Sequence, residues 1–252
     1  MHPIIALWSH PRSMSTATER IMRERGDLDC AHEPFMYDYY VHRNASQFPH
    51  FDEQSDHPQK YEDIRDMLIA RAREKPVFFK DMSYYVMPHI LTDVAFRDRV
   101  THTFLIRNPE AAIASYYKLD PDVTSDEIGL AAQWNHYQGL CAKGHNPVIL
   151  RSEDIQNDPE GMMAAFWASI GLEFRKNAFS WGDDTPKDWE QVEGWHGSVG
   201  ASQSIRPMPD GYYEKARAKF QSMAQAAPRL NELLAQHAPA YEQLSARAMT
   251  QI

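Results

Sequence analysis

The chain opens on Ile4-Ile5-Ala6-Leu7-Trp8-Ser9-His10-Pro11-Arg12-Ser13-Met14-Ser15-Thr16-Ala17-Thr18-Glu19. Its first part is a short apolar run closed by a proline, which reads as a fully buried strand. A hydroxyl-rich turn with one arginine follows. A helical pattern then begins, with Ile21 and Met22 as its first apolar positions. Strand, polar turn and helix in that order make an anion site. The first N–H groups of a helix lack intrahelical partners, and the helix dipole favours negative charge there. Ser13, Ser15 and Thr16 add hydroxyl donors, and Arg12 adds a fixed positive fork.

The pattern G-x-x-x-x-G-K-[ST] cradles nucleotide phosphates by the same physics. Here both glycines and the lysine are missing, so an ordinary ATPase motif is absent. The chain has 252 residues, enough for one large α/β domain spanning residues 1–252. A net charge of -9 argues against a broad nucleic-acid or anionic-membrane surface. An anion site must then be a local concentration of Arg and Lys. Cys30 and Cys141 form no C-x-x-C pair and read as free thiols of a reducing compartment. No leader pattern and no long apolar run stand out, so the expected location is cytoplasmic.

Taken in order, a helix is expected from about Ser15 to Arg25, ended by Gly26 as a C′ residue. Leu28 to His32 reads as a second strand, closed by Glu33-Pro34. Residues 35 to 60 are aromatic-rich without a clean period. They read either as a binding loop or as a surface excursion packed by its own rings. Tyr61 to Arg73 is helical in pattern, Pro76 to Lys80 a strand, Pro88 to Phe96 a short helix and Val100 to Ile106 a strand. Asn108 and Pro109 read as N-cap and first turn of the next helix. A helix from Ser125 to Cys141, a strand from Pro147 to Leu150 and a helix capped by Asp158-Pro159 follow. Residues 172 to 209 read as mostly irregular, and two helices meet near Pro228.

Strands alternating with helices imply a mostly parallel sheet covered on both faces, here a three-layer α/β sandwich with a helical C-terminal tail. Such folds bind ligands at the carboxyl ends of the strands. Arg12, Glu33, Lys80 with Asp81, Arg107 and Ser152-Glu153-Asp154 stand there. Each has a plainer reading. Arg107 could pair with Asp81 or Asp98, and Lys80 with Asp81. Glu153 and Asp154 more often bond neighbouring backbone N–H groups.

Several stretches resemble the sulfotransferases that use 3′-phosphoadenylyl sulfate (PAPS). His10-Pro11-Arg12-Ser13-Met14-Ser15-Thr16 is similar to their 5′-phosphosulfate loop. Ile106-Arg107-Asn108-Pro109 with Ser115 and Tyr116 is similar to their 3′-phosphate motif. Val148 to Ile155, then Asp158-Pro159 and Ile170-Gly171-Leu172, looks like their strand-and-helix signature. Trp195-His196-Gly197-Ser198 falls where the family has a loop that closes over the nucleotide. The resemblance implies a P-loop NTPase-like fold, PAPS as co-substrate and no required metal. It also implies a small-molecule acceptor bearing a hydroxyl or an amine. Its nucleotide-binding candidates are Arg12, Ser13, Met14, Ser15, Thr16, Ala17, Arg107, Ser115, Trp195 and Ser198. Its catalytic candidates are Glu33, Arg12 and Lys80.

There are departures from the family pattern. Arg12 stands where many members have Lys, and Ser152 where a Tyr is frequent. Lys80-Asp81-Met82 stands where animal-type members place a basic His. Bacterial members resembling the trehalose sulfotransferase use a Glu after the second strand, and Glu33 sits there. His32 is the rival base. Alternation along the strand is expected to send His32 and Glu33 to opposite faces, with Pro34 holding Glu33 extended. A non-catalytic binding member of the family and a P-loop-type kinase or NTPase are the alternative readings.

Overall fold

A computed structural model describes residues 1–47, 51–196 and 202–250. Its centre is a five-stranded, all-parallel sheet: β1 (Ile4–Ser9), β2 (Asp29–His32), β3 (Val77–Met82), β4 (Val100–Ile106) and β5 (Val148–Arg151). Their spatial order is β2-β3-β1-β4-β5. Every residue of β1 and of β3 is buried, which is why these strands read as apolar runs rather than as alternating ones.

Alternation still decides which core each side chain enters. Ile4, Ala6 and Trp8 pack on one face, with Phe35, Phe79 and Phe104. Ile5 and Leu7 pack on the other, with Ile21, Met22 and Trp167. Helices cover both faces, giving the three layers. Trp8 anchors the first core and donates its Nε1–H to His102 Nδ1 at 2.9 Å. Truncating a buried ring of this size costs about 3–5 kcal/mol.

Local signals set most helix ends. The first helix is Ser15–Glu24, and Gly26 takes φ +74° beyond it. Asn108 accepts from Ala111 N–H at 3.0 Å and Pro109 starts the helix Pro109–Tyr117. Asp158 likewise accepts from Gly161 N–H at 2.9 Å ahead of Pro159–Ser169. The C-terminal helices are Tyr212–Ala226 and Arg229–Ser245.

Other expectations need correction. The helix expected over Ser125 to Cys141 is two, Ser125–Ile128 and Leu130–Ala142. Gly129 separates them at φ +77°, and a Cβ there would lie 3.2 Å from both His10 Cβ and the Tyr84 ring. The helix expected over Pro88 to Phe96 is likewise two, His89–Thr92 and Val94–Arg97, preceded by Ser83–Val86. β3 runs on through Asp81 and Met82. A further helix, Ser152–Asn157, follows β5 directly. At its start the stretch after Pro34 is not a surface excursion. Phe35, Met36 and Tyr37 are fully buried and lead into a π-helical turn at Tyr37–His42. Among the described residues, the stretch from 172 to 209 is mostly irregular, as read, with 3₁₀ turns at Lys176–Phe179 and Lys187–Val192 and a short helix at Glu193–His196.

Candidate active site

The carboxyl ends of β1, β2 and β3 meet at one pocket, because the sheet order places β3 between the other two. Pro11, Arg12, Ser15 and Thr16 line it from the turn after β1. Glu33 reaches it from the end of β2, and Lys80 and Met82 from β3. Tyr84, Tyr85, Tyr116, Val192 and Trp195 complete the walls.

The turn after β1 is wound tightly. Arg12 and Met14 both have positive φ, at 63° and 72°. Non-glycine residues hold that conformation only where their surroundings impose it. His10 is one such constraint. It is fully buried, its Nδ1 lies 3.1 Å from Pro11 O, and its Nε2 accepts the Arg107 backbone N–H at 3.1 Å. Nδ1 therefore carries the proton, and burial drives the imidazolium form down to about 3. His10 thus ties the turn after β1 to the turn after β4.

Two guanidinium groups converge across that tie. Arg12 donates from Nε to Ser115 Oγ at 3.1 Å and from Nη1 to Trp195 O at 2.6 Å. Arg107 donates from Nη1 to Arg12 O and from Nε to Tyr212 Oη, both at 2.9 Å. Among the described residues, no carboxylate forms an ion pair with either. Burial and the nearby Arg107 charge both lower the Arg12 pKa from its usual value. In a chain of charge -9, paired cations without an anion mark a place for one.

A second cleft adjoins the first. Arg107, Ser115, Tyr212, Lys215 and Lys219 line it, with Ala111, Ala114, Pro209 and Ala216. Lys219 is held below its usual pKa, by burial first and then by Lys118 and Arg107. This too is a cluster of like charges. The donor set suits a ligand with two anionic groups. One would lie by Arg12, Ser15 and Thr16 at the start of the first helix, the other by Arg107, Ser115 and the lysines.

A family model described as a sulfotransferase domain matches residues 2–243. The chain belongs to that family. Two Arabidopsis thaliana proteins, branched-chain-amino-acid aminotransferase-like proteins 2 and 1, are 24% and 25% identical to it over 196 and 199 residues. These matches cover 77% and 78% of this chain but 34% and 35% of those proteins, so the chain spans about a third of the length of the curated relatives it matches. Among solved structures it is similar to the sulfotransferase domain from the curacin biosynthetic pathway. The TM-score is 0.59 at 13% identity, over 90% of this chain and 98% of that one. The sulfotransferase domain from the Synechococcus PCC 7002 olefin synthase gives 0.58 at 17% identity, over 88% and 94%. At such identities these likenesses are of fold.

In this sulfotransferase-family chain, Arg12, Ser15, Thr16, Glu33, Lys80 and Trp195 share the first pocket, and Arg107 and Ser115 share the second. Ser13, Met14 and Ala17 line neither. Ser13 is turned inward, fully buried, and Ala17 and Met14 face the core under the first helix. Ser198 lies outside the described residues.

Lys80 does not pair with Asp81. Its Nζ donates to Glu33 Oε1. Asp81 points away from that pair, where Oδ2 accepts Phe35 N–H at 2.8 Å and Oδ1 accepts Met82 N–H at 3.1 Å. Burial pushes the Asp81 carboxyl well above its usual range. Glu33 is not extended, despite Pro34. Its φ is 44°, and its N–H bonds Lys80 O at 2.9 Å. That kink ends the alternation, so His32 and Glu33 stand side by side, with His32 Nε2 3.8 Å from Glu33 Oε1. His32 itself is 3% exposed and lines neither pocket.

Sequence reasoning missed Tyr84 and Tyr85, which directly follow β3, although inspection of strand ends would reach them one turn later. It also missed Lys215, Lys219 and Tyr212, which the tail helix brings back over the Pro109–Tyr117 helix. The plainer reading of Glu153 holds: its Oε1 accepts Asn108 N–H at 2.9 Å and so fixes the turn that carries Arg107.

Proposed function

We propose that the protein transfers a sulfuryl group from PAPS to a hydroxyl of a small, uncharged acceptor. The observation that carries this reading is the convergence of Arg12 and Arg107, with no carboxylate paired to either among the described residues, at the mouth of a pocket holding Glu33. Family membership supports it. PAPS supplies an activated sulfuryl group on a 5′-phosphate and a second phosphate at the 3′ position.

Arg12, Ser15 and Thr16 would hold the phosphosulfate, and Arg107 and Ser115 the 3′-phosphate. Transfer breaks one sulfur–oxygen bond and forms another, so alignment and charge stabilisation do most of the work. Arg12 stabilises the charge left on the phosphate oxygen. Glu33 takes the hydroxyl proton. Its Oε1 is held by Lys80, and Tyr85 Oη lies 3.4 Å from Oε2. With Arg12 committed to the phosphosulfate and Lys80 to Glu33, the remaining walls are Met82, Val192 and aromatic rings. Tyr116 and Trp195 meet edge to face at 5.3 Å. Such walls favour an acceptor with a flat or apolar face.

Incubation with labelled PAPS and a panel of phenols, sugars and aliphatic alcohols tests this. Transfer of label to a neutral member of the panel is the expected result. Tight nucleotide binding with no transfer to any member would mark a binding protein instead.

A further inference from the structure

The C-terminal tail returns one helix face to the second cleft. Tyr212, Lys215, Ala216 and Lys219 all line it, at positions i, i+3, i+4 and i+7 of the helix Tyr212–Ala226. That spacing is one face of a helix. Tyr212 comes first on it and reaches the base of Arg107. Its Oη accepts from Arg107 Nε at 2.9 Å and donates to Glu153 Oε1 at 3.5 Å. A guanidinium only donates and an ionised carboxylate only accepts, so a hydroxyl between them serves both. Burial, as first cause, holds the Tyr212 phenol above its usual pKa, which keeps that proton in place.

Glu153 is 1% exposed. Its Oε1 also accepts the Asn108 N–H at 2.9 Å, and its Oε2 the Ser152 hydroxyl at 3.3 Å. Three donors thus converge on it, as they do on an ionised carboxylate. Since Asn108 is next in sequence to Arg107, this buried carboxylate is pinned to the same turn as the cation. Only the two hydrogen bonds through Tyr212 Oη separate Glu153 Oε1 from Arg107 Nε. Opposite charges that close, out of bulk water, attract strongly. Yet among the described residues Arg107 forms no ion pair. Its fork is held instead by two neutral oxygens, Tyr212 Oη at Nε and Arg12 O at Nη1.

Building on the function proposed above, we propose that Tyr212 is a positioning residue for Arg107, its hydroxyl standing between the guanidinium and Glu153 and so keeping the cation for the 3′-phosphate of the donor. Without that hydroxyl the fork would turn onto the carboxylate. A guanidinium already paired there would have to leave its partner before it could meet a phosphate, and the affinity would fall by that cost. Glu153 meanwhile keeps its own task, which is to hold the turn through Asn108. The tail helix is thereby a working wall of the nucleotide site, although it lies about a hundred residues beyond the arginine it serves.

Tyr212→Phe removes the hydroxyl and keeps the ring. In calorimetric titration of the full chain it should raise the Kd of adenosine 3′,5′-bisphosphate about tenfold and leave that of adenosine 5′-phosphate within about twofold. Glu153→Gln keeps the shape of the side chain and removes its charge. In that background Tyr212→Phe should cost about twofold or less, because the competing charge is gone. A loss of the same size in both backgrounds would overturn the role, since a hydroxyl that merely braces the fork is missed equally in each. Equal losses for the two nucleotides would overturn it as well. A crystal structure of ligand-free Tyr212→Phe reads the geometry by itself. Arg107 Nε should bond the Glu153 carboxylate, and an Nε left beyond hydrogen-bond reach of it would contradict the proposal. If wild-type chain binds the bisphosphate and Tyr212→Phe matches it, the role of Tyr212 alone falls. If the wild type binds neither nucleotide, the proposed function falls and this role falls with it.

Discussion

Arg12 Nε donates to Ser115 Oγ across 3.1 Å, joining residues 103 positions apart. One leaves the central strand, and the other lies well along the helix that follows β4. Their contact brings the two cationic clefts together at a single point, with Arg107 bonded to Arg12 O from the far side. A ligand with anionic groups at both ends would span that point. Each guanidinium would then serve a different end.

Arg12→Ala removes the donor at the leaving oxygen. Turnover at saturating PAPS should fall about 10²-fold or more, as it does when an oxyanion donor is lost. A steady-state assay with the best acceptor checks this. Unchanged kcat would remove Arg12 from the chemistry.

Arg107→Ala should weaken adenosine 3′,5′-bisphosphate by about 1.5–3 kcal/mol, the range for a hydrogen bond to a charged group. It should leave adenosine 5′-phosphate nearly unaffected. Since Arg107 also supports Arg12 O, the comparison of the two ligands is the informative measurement. Equal losses for both would make Arg107 a support of the turn only.

Glu33→Gln keeps the shape and removes the base. Turnover should collapse while bisphosphate affinity stays within about 1 kcal/mol. Turnover close to wild type would move the base elsewhere in the pocket.

Much of this site could be read from strand ends. The buried run before Pro11, the Asn108-Pro109 start and the place of Glu33 at the end of β2 follow from local rules. What could not be read depends on contacts distant in sequence. Pro34 argues for an extended Glu33, yet the bonds that Glu33 N–H donates to Lys80 O and Phe35 N–H donates to the Asp81 carboxylate override that preference. The aromatic stretch after Pro34 has no period because it packs through Asp81 and the Phe79 ring rather than through a face of its own. Gly129 breaks a helix whose pattern gives no reason for it. A side chain there would crowd His10 and Tyr84, whose atoms lie 3.2 Å from where its Cβ would stand.

Stability should fall on mild acidification. Burial, as the first cause, lowers His10 and His32 to about 3 and His102 to about 4, and holds His136 well below its usual value. A histidine of unperturbed pKa ~6.5 binds a proton in the unfolded chain before it does in this fold. The stability these groups lend is complete above that value and is lost as pH falls toward 4. Buried Asp81, whose carboxyl is raised, acts in the opposite sense but is one group against four. The urea midpoint should therefore drop steadily between pH 7 and pH 4.5. A flat midpoint over that window would show that these rings are not buried neutral.

Calorimetric titration with adenosine 3′,5′-bisphosphate in EDTA tests the central claim most directly. The account predicts one site per chain, weakened by both Arg12→Ala and Arg107→Ala. No binding of the bisphosphate, with Mg–ATP bound in its place, would contradict it.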